Sequence, residues 1–192
     1  MKKKWKLVLT QGLLAGSLAN AFSTAVMVFA GRRESRSGAA PVNAVSHWAW
    51  GDEAFELQST DLHHTVLGYL THHGAATFWA TAYAALASQS PAMRTVPGAL
   101  LGAAATSAVA SVVDFKLTPY RFTPVHDQRL STEALAAVYV ALAIGLAAGA
   151  LALRSDYEDQ ETPAADRLKN LKTPAYEPPE PRIVRHIRAG GM

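Results

Sequence analysis

LVLTQGLLAGSLANAFSTAVMVFA, residues 7–30, runs for 24 positions without a charged side chain. A helix of that length rises about 36 Å, enough to cross a hydrocarbon core about 30 Å thick. Charge stops abruptly at both ends: Met1-Lys2-Lys3-Lys4-Trp5-Lys6 precedes the stretch and Gly31-Arg32-Arg33 follows it. Two readings are open, a membrane-spanning helix or a secretory signal cleaved near Ser17-Leu18-Ala19. The apolar run continues through Val26, Met27, Val28 and Phe29, longer than a signal needs, and this favours the span.

Three more blocks share this character. Residues 65–88, 96–113 and 132–153 hold most of the remaining aliphatic content, and residues 31–62, 114–131 and 154–192 hold nearly all the charge. A soluble domain would interleave the two kinds of residue at helix or strand period. The mean hydropathy of +0.06 hides this segregation by averaging over it. The expected fold is all-α, an integral membrane four-helix bundle over residues 1–153, with spans at about 7–30, 65–88, 96–113 and 132–153. A short interfacial segment in the first outer loop and a disordered cytoplasmic tail over 154–192 complete it. The third span is the shortest and richest in alanine.

Orientation follows from Lys and Arg placement. Lys2, Lys3, Lys4, Lys6, Arg94 and Arg154, with six more cations in the tail, fall on the side of the N-terminus. Arg32, Arg33, Arg36, Lys116, Arg121 and Arg129 fall opposite, so 12 cations stand against 6. Both termini are therefore expected in the cytoplasm, although Arg32, Arg33 and Arg36 directly after the first span pull the other way. Cysteine is absent, which excludes disulfides, thiolate ligands and a cysteine nucleophile. No basic stripe with interleaved aromatics supports nucleic-acid binding. The lipid bilayer is the expected partner, with a membrane-protein partner or a second copy as further possibilities.

Lipid gives helices no hydrophobic reason to associate, so small residues must let them pack closely. Each span carries them at four-residue spacing, which keeps them on one face. They are Gly12, Gly16, Asn20 and Thr24; Ala76, Ala80 and Ala84; Gly98, Gly102, Thr106 and Ala110; and Ala137, Ala141, Gly145 and Gly149. The Asn20 amide must find a partner in this interior, and Gln11, Thr106 and Ser107 are the candidates.

Histidine is unevenly distributed. His47, His63, His64, His72, His73 and His126 lie in or beside the non-cytoplasmic half, two of them within the second span. Asp114 closes the third span on the same side. The set His63, His64, His72, His73, Asp114 and His126 could supply a three-ligand zinc or copper site. The spacing is not diagnostic, since no HExxH occurs, and His64 and His72 lie about 12 Å apart along a regular helix. The plainer reading is a network bonded to headgroups, water or Asp114. No cofactor is predicted. Haem would need deep histidines on facing helices, and the first, third and fourth spans have none. A proton relay would place carboxylates near the midplane, and Asp114 and Glu133 both sit at span ends.

In residues 42–58, Trp48, Trp50 and Phe55 alternate with acids, which suits a segment in the interface or a lid over the bundle mouth. Thr118-Pro119-Tyr120-Arg121-Phe122-Thr123-Pro124 is a stiff connector in which Arg121 snorkels or binds an anion. Pro97-Gly98-Ala99-Leu100-Leu101-Gly102, leading to Leu117-Thr118-Pro119-Tyr120-Arg121-Phe122, resembles the YagU-type family of uncharacterised bacterial inner-membrane proteins. Gly12-Leu13-Leu14-Ala15-Gly16 and the stretch from His73 to Tyr83 point the same way, while the proline-rich loop expected after the first span is replaced by an arginine/serine stretch. The resemblance implies four helices in the inner membrane and no assigned chemistry. The expected function is a non-enzymatic accessory or binding subunit with a His/Asp cluster at the non-cytoplasmic mouth. The alternative is a metal-binding membrane enzyme or metal-handling protein using the same cluster.

Overall fold

A computed structural model describes residues 2–123 and 129–154. Helix and turn account for the ordered elements, and no strand occurs among the described residues. Four long helices dominate: α1 (Lys2–Glu34), α5 (Leu62–Ala87), α6 (Val96–Val112) and α7 (Thr132–Ala152). Three short helices, α2 (Ala40–Ala44), α3 (His47–Trp50) and α4 (Glu53–Glu56), lie between α1 and α5. The expected tail from 155 onward and His126 lie outside the described residues.

Local chemistry sets the boundaries. Asp61 caps α5 by accepting the His64 amide, Thr95 caps α6 by accepting from Gly98, and Ser131 caps α7 by accepting from Ala134. Each cap satisfies one of the amide donors a helix start leaves unpaired. Pro97, at the start of α6, stands where its missing N–H costs nothing. The expected end of the third span at Val113, with Asp114 as its cap, is corrected. The helix runs on through a π-turn, Val113–Leu117. Thr118 holds that turn by donating both its amide, at 2.8 Å, and its hydroxyl, at 2.9 Å, to the Val113 carbonyl. Pro119 then prevents further helix.

Helix α1 packs against both α5 and α7, and α6 packs against α7 and, less extensively, α5. The seams are those of the small residues. A side chain on Gly12 or Gly16 would strike Thr81 or Thr77 of α5, and one on Gly145 or Gly149 would strike the Ala19 or Ala15 backbone of α1. Residue numbers in the pairings 12 with 81 and 16 with 77 fall along one helix as they rise along the other, so α1 and α5 are antiparallel. The same holds for α1 and α7. Helix α2 is buried from end to end and crosses α5 at Gly68, where the Val42 carbonyl occupies the space a Cβ would need.

Large apolar side chains point outward while alanines fill the interior. Leu101 is 73%, Phe78 64% and Phe29 63% exposed, whereas Ala15, Ala19, Ala80 and Ala84 are fully buried. A water-soluble bundle would reverse that arrangement. Three helices are long and apolar enough to cross a membrane: Trp5–Glu34, Val96–Leu117 and Thr132–Ala152. Helix α5, at 26 residues, has the length but not the composition, because His63, His64, His72 and His73 interrupt its first half.

Candidate functional site

The C-terminal ends of α1 and α6 and the N-terminal ends of α5 and α7 meet at one end of the bundle. Below this mouth lies a cavity of about 100 Å³. Apolar side chains, among them Val45, Ala76, Val138 and Leu142, form most of its wall. Into that wall are set two polar pairs.

The first pair is Ser23 of α1 with His72 of α5, Oγ to Nε2 at 2.8 Å. Ser23 also lies 2.7 Å from the Ala19 carbonyl one turn earlier. A hydroxyl has one proton: given to the Ala19 carbonyl it leaves Ser23 accepting from His72 Nε2–H, and given to Nε2 it makes Ser23 the donor, so the imidazole tautomer sets the direction. The second pair is Tyr139 of α7, whose hydroxyl donates to Asp114 Oδ2 at 2.8 Å. The π-turn carries Asp114, and such turns often re-aim a side chain at a functional position. Ser107 Oγ, donating to the Tyr139 carbonyl at 2.7 Å, ties α6 to α7 one layer below. Phe115 packs edge-on against the Tyr139 ring at 6.0 Å.

The segment between α1 and α5 closes the cavity from above. Trp48 of α3 lines it and donates its indole N–H to Thr71 Oγ1 at 3.1 Å. Arg121 Nε donates in turn to the Trp48 carbonyl at 3.2 Å, so the connector after α6 holds α3 in place. Phe122 and Thr123 of that connector complete the roof. Phe55 is buried and stacks on His47 at 5.4 Å, while Trp50 stays 43% exposed at the rim.

Of the six residues singled out in the sequence, His72 and Asp114 reach this cavity. His63 and His64 lie higher, beside the Trp50 ring at 6.1 and 5.7 Å. His64 Nδ1 bonds to Asp61 Oδ2 at 2.7 Å, and its Nε2 lies 3.5 Å from Glu53 Oε1. Hydrogen bonds from the His64 amide, then from its ring, hold the Asp61 carboxyl below the usual carboxylate value. His73 points elsewhere and stacks on Tyr69 at 6.3 Å. Among the described residues, no three His, Cys, Asp or Glu side chains come close enough to share a metal ion. A site built on this set would have to recruit His126, which lies outside the described residues.

The expected partners of Asn20 are corrected too. Gln11 reaches the Ala150 carbonyl, Thr106 the Gly102 carbonyl and Ser107 the Tyr139 carbonyl. Asn20 Oδ1 instead accepts from Thr24 at 3.3 Å, and its Nδ2 is buried without a partner among the described residues. Sequence reasoning also passed over Ser23, Tyr139 and Trp79. Tyr139 was open to discovery, since no other polar side chain occurs between Glu133 and Arg154. Ser23 and Trp79 carried no such signal. No protein-family model, no curated protein and no solved structure matches this chain.

Proposed function

We propose that the chain is an integral membrane protein whose four long helices all span the bilayer, and that it binds a small ligand in the cavity beneath its non-cytoplasmic mouth. The cavity carries this reading: an apolar chamber with two polar pairs and an aromatic roof has the makeup of a small-molecule site. As a fourth span, α5 is supported by its outer face. Leu62, Val66, Leu70, Phe78 and Leu86 are exposed there, whereas His72 turns inward to Ser23. The excess of Lys and Arg at the opposite end supports cytoplasmic termini. The bacterial inner membrane as location rests on the resemblance to the YagU-type proteins. A binding role is supported by the largely apolar wall of the cavity.

The lack of cysteine makes the test direct, because a single introduced thiol is the only one in the chain. Ser59→Cys in the first outer loop and Arg154→Cys at the far end are both exposed positions. On intact cells an impermeant maleimide should label Ser59→Cys and spare Arg154→Cys until the membrane is opened; the reverse would overturn the orientation. Ala76→Cys, on the buried cavity wall, should react with methyl methanethiosulfonate in detergent-solubilised protein. A rate below about a hundredth of that of Ser59→Cys would mean that small solutes do not enter, and the binding reading would fail.

A further inference from the structure

Resting on that reading of the cavity, we propose that its ligand is a small organic ammonium cation, held by the rings of Trp48, Trp79 and Tyr139 against the Asp114 carboxylate. Among the described residues Asp114 is the one acidic side chain in the cavity wall, and no Lys or Arg lines it. Its hydrogen bond comes from a neutral phenol, and no ion pair involves it among the described residues. Asp114 is half-buried, and a carboxylate partly withdrawn from water without a counter-charge carries a cost that a cation brought by a ligand would reduce.

The rest of the wall decides what kind of cation. Trp48, Trp79 and Tyr139 all line the chamber. Aromatic rings attract cations through their quadrupole, and rings gathered around a carboxylate suit alkylated ammonium groups, whose methyls also seek apolar surface. The polar atoms of Trp48 and Tyr139 are already committed, to Thr71 and to Asp114, so both side chains are anchored. Ring anchoring limits the entropy lost when a ligand docks. A bare divalent metal would want several oxygen or nitrogen donors, and the described residues assemble no group of three such acidic or histidine ligands. An anion would be repelled by Asp114. The size also fits: an apolar cavity of about 150 Å³ holds benzene, with six heavy atoms. The chamber of about 100 Å³ suits a group near the five heavy atoms of tetramethylammonium.

The test uses the full chain in detergent, followed by tryptophan fluorescence as tetramethylammonium chloride is added. Sodium chloride at equal ionic strength and tert-butanol, a neutral molecule with five heavy atoms, are the controls. A saturable change is expected with tetramethylammonium, none with sodium, and at least tenfold weaker binding of tert-butanol. Asp114→Asn should weaken tetramethylammonium binding at least tenfold, and Trp79→Leu severalfold. Because either variant could misfold, the same probe is also applied to Ala76→Cys, where tetramethylammonium should slow modification by methyl methanethiosulfonate and sodium should not. Equal binding of tert-butanol and tetramethylammonium would overturn the proposal and leave a neutral-ligand cavity. Free modification of Ala76→Cys at saturating tetramethylammonium would also overturn it, while the cavity reading would stand because the reagent had entered. Absence of modification under all conditions would instead sink the cavity reading itself.

Discussion

On the side of α1 facing α7, Ala15 and Ala19 lie against Gly149 and Gly145, backbone nearly touching backbone. On the side facing α5, Gly12 and Gly16 lie against Thr81 and Thr77, and the line continues through Asn20 and Ser23 toward His73 and His72. Both seams use the same four-residue spacing of small residues. The first is mainly steric, crossed by Gln11 to the Ala150 carbonyl and, at its mouth end, by Glu34 accepting from the amide and hydroxyl of Ser131, the α7 cap. The second carries a row of polar groups, and several of these lack partners: Asn20 Nδ2, His73 Nδ1 and Thr77 Oγ1 are buried without a hydrogen bond among the described residues. An unpaired buried donor or acceptor costs about 1–3 kcal/mol. The α7 seam is thus the one that holds the bundle, and the α5 seam is where it opens into a cavity.

Substitution can break this contrast at its strong side first. Gly149→Leu would drive a branched side chain into the Ala15 backbone, and overpacking of that kind costs about 3 kcal/mol or more. Loss of most of the folded protein in a detergent denaturation curve is the expected result; a stable variant would show that the helices can slide apart freely. Gly16→Ala tests the other seam more gently. Its Cβ would fall 2.6 Å from Thr77 Cα, so α5 must shift, at an expected cost of about 1–3 kcal/mol in the same assay.

Asn20→Ala sharpens the comparison. The amide nitrogen has no partner to lose among the described residues, and the oxygen receives one long bond from Thr24. The expected cost is below about 1 kcal/mol, because membrane hydrogen bonds average about 0.6. A loss above about 2 kcal/mol would mean that Asn20 organises the seam.

The smallest effect is expected where the polar seam reaches the mouth. Asp61 has its carboxyl held low by His64, so its folded value lies under its unfolded one. Its contribution is therefore complete above the unfolded value, near pH 4, and is lost as pH falls through the folded value. Asp61→Asn preserves a capping side chain but forfeits the charge, so it should lower stability slightly at pH 7 and flatten the decline below about pH 4. An identical acid limb in variant and parent would remove Asp61 from the account.

Much of the helical frame was legible because its causes are local. Uncharged blocks, the Pro97 start and the Ser131 cap all act within a few residues of themselves. The π-turn was not legible: Asp114 read as a helix end because an acidic residue after an apolar run resembles one. The candidate site was legible in part. His72 and Asp114 stood out as ionisable residues in or beside apolar helices, yet His63, His64 and His73 stood out equally and reach other surroundings. Ser23 gave no signal, since a serine in an alanine-rich helix usually bonds only to its own backbone.

The sequence by itself determined that this chain forms long apolar helices with small residues at four-residue spacing, because helix period and hydrocarbon thickness act on contiguous residues. It also determined that charge and histidine concentrate at the ends of those helices. Only the tertiary structure decided that Ser23 meets His72, that Tyr139 meets Asp114 and that Trp48 roofs the space between them. Those meetings depend on the register of antiparallel helices and on how the segment between α1 and α5 folds back over α5. Register is set by which glycine accommodates which neighbour across a seam, and one chain of letters does not record that pairing.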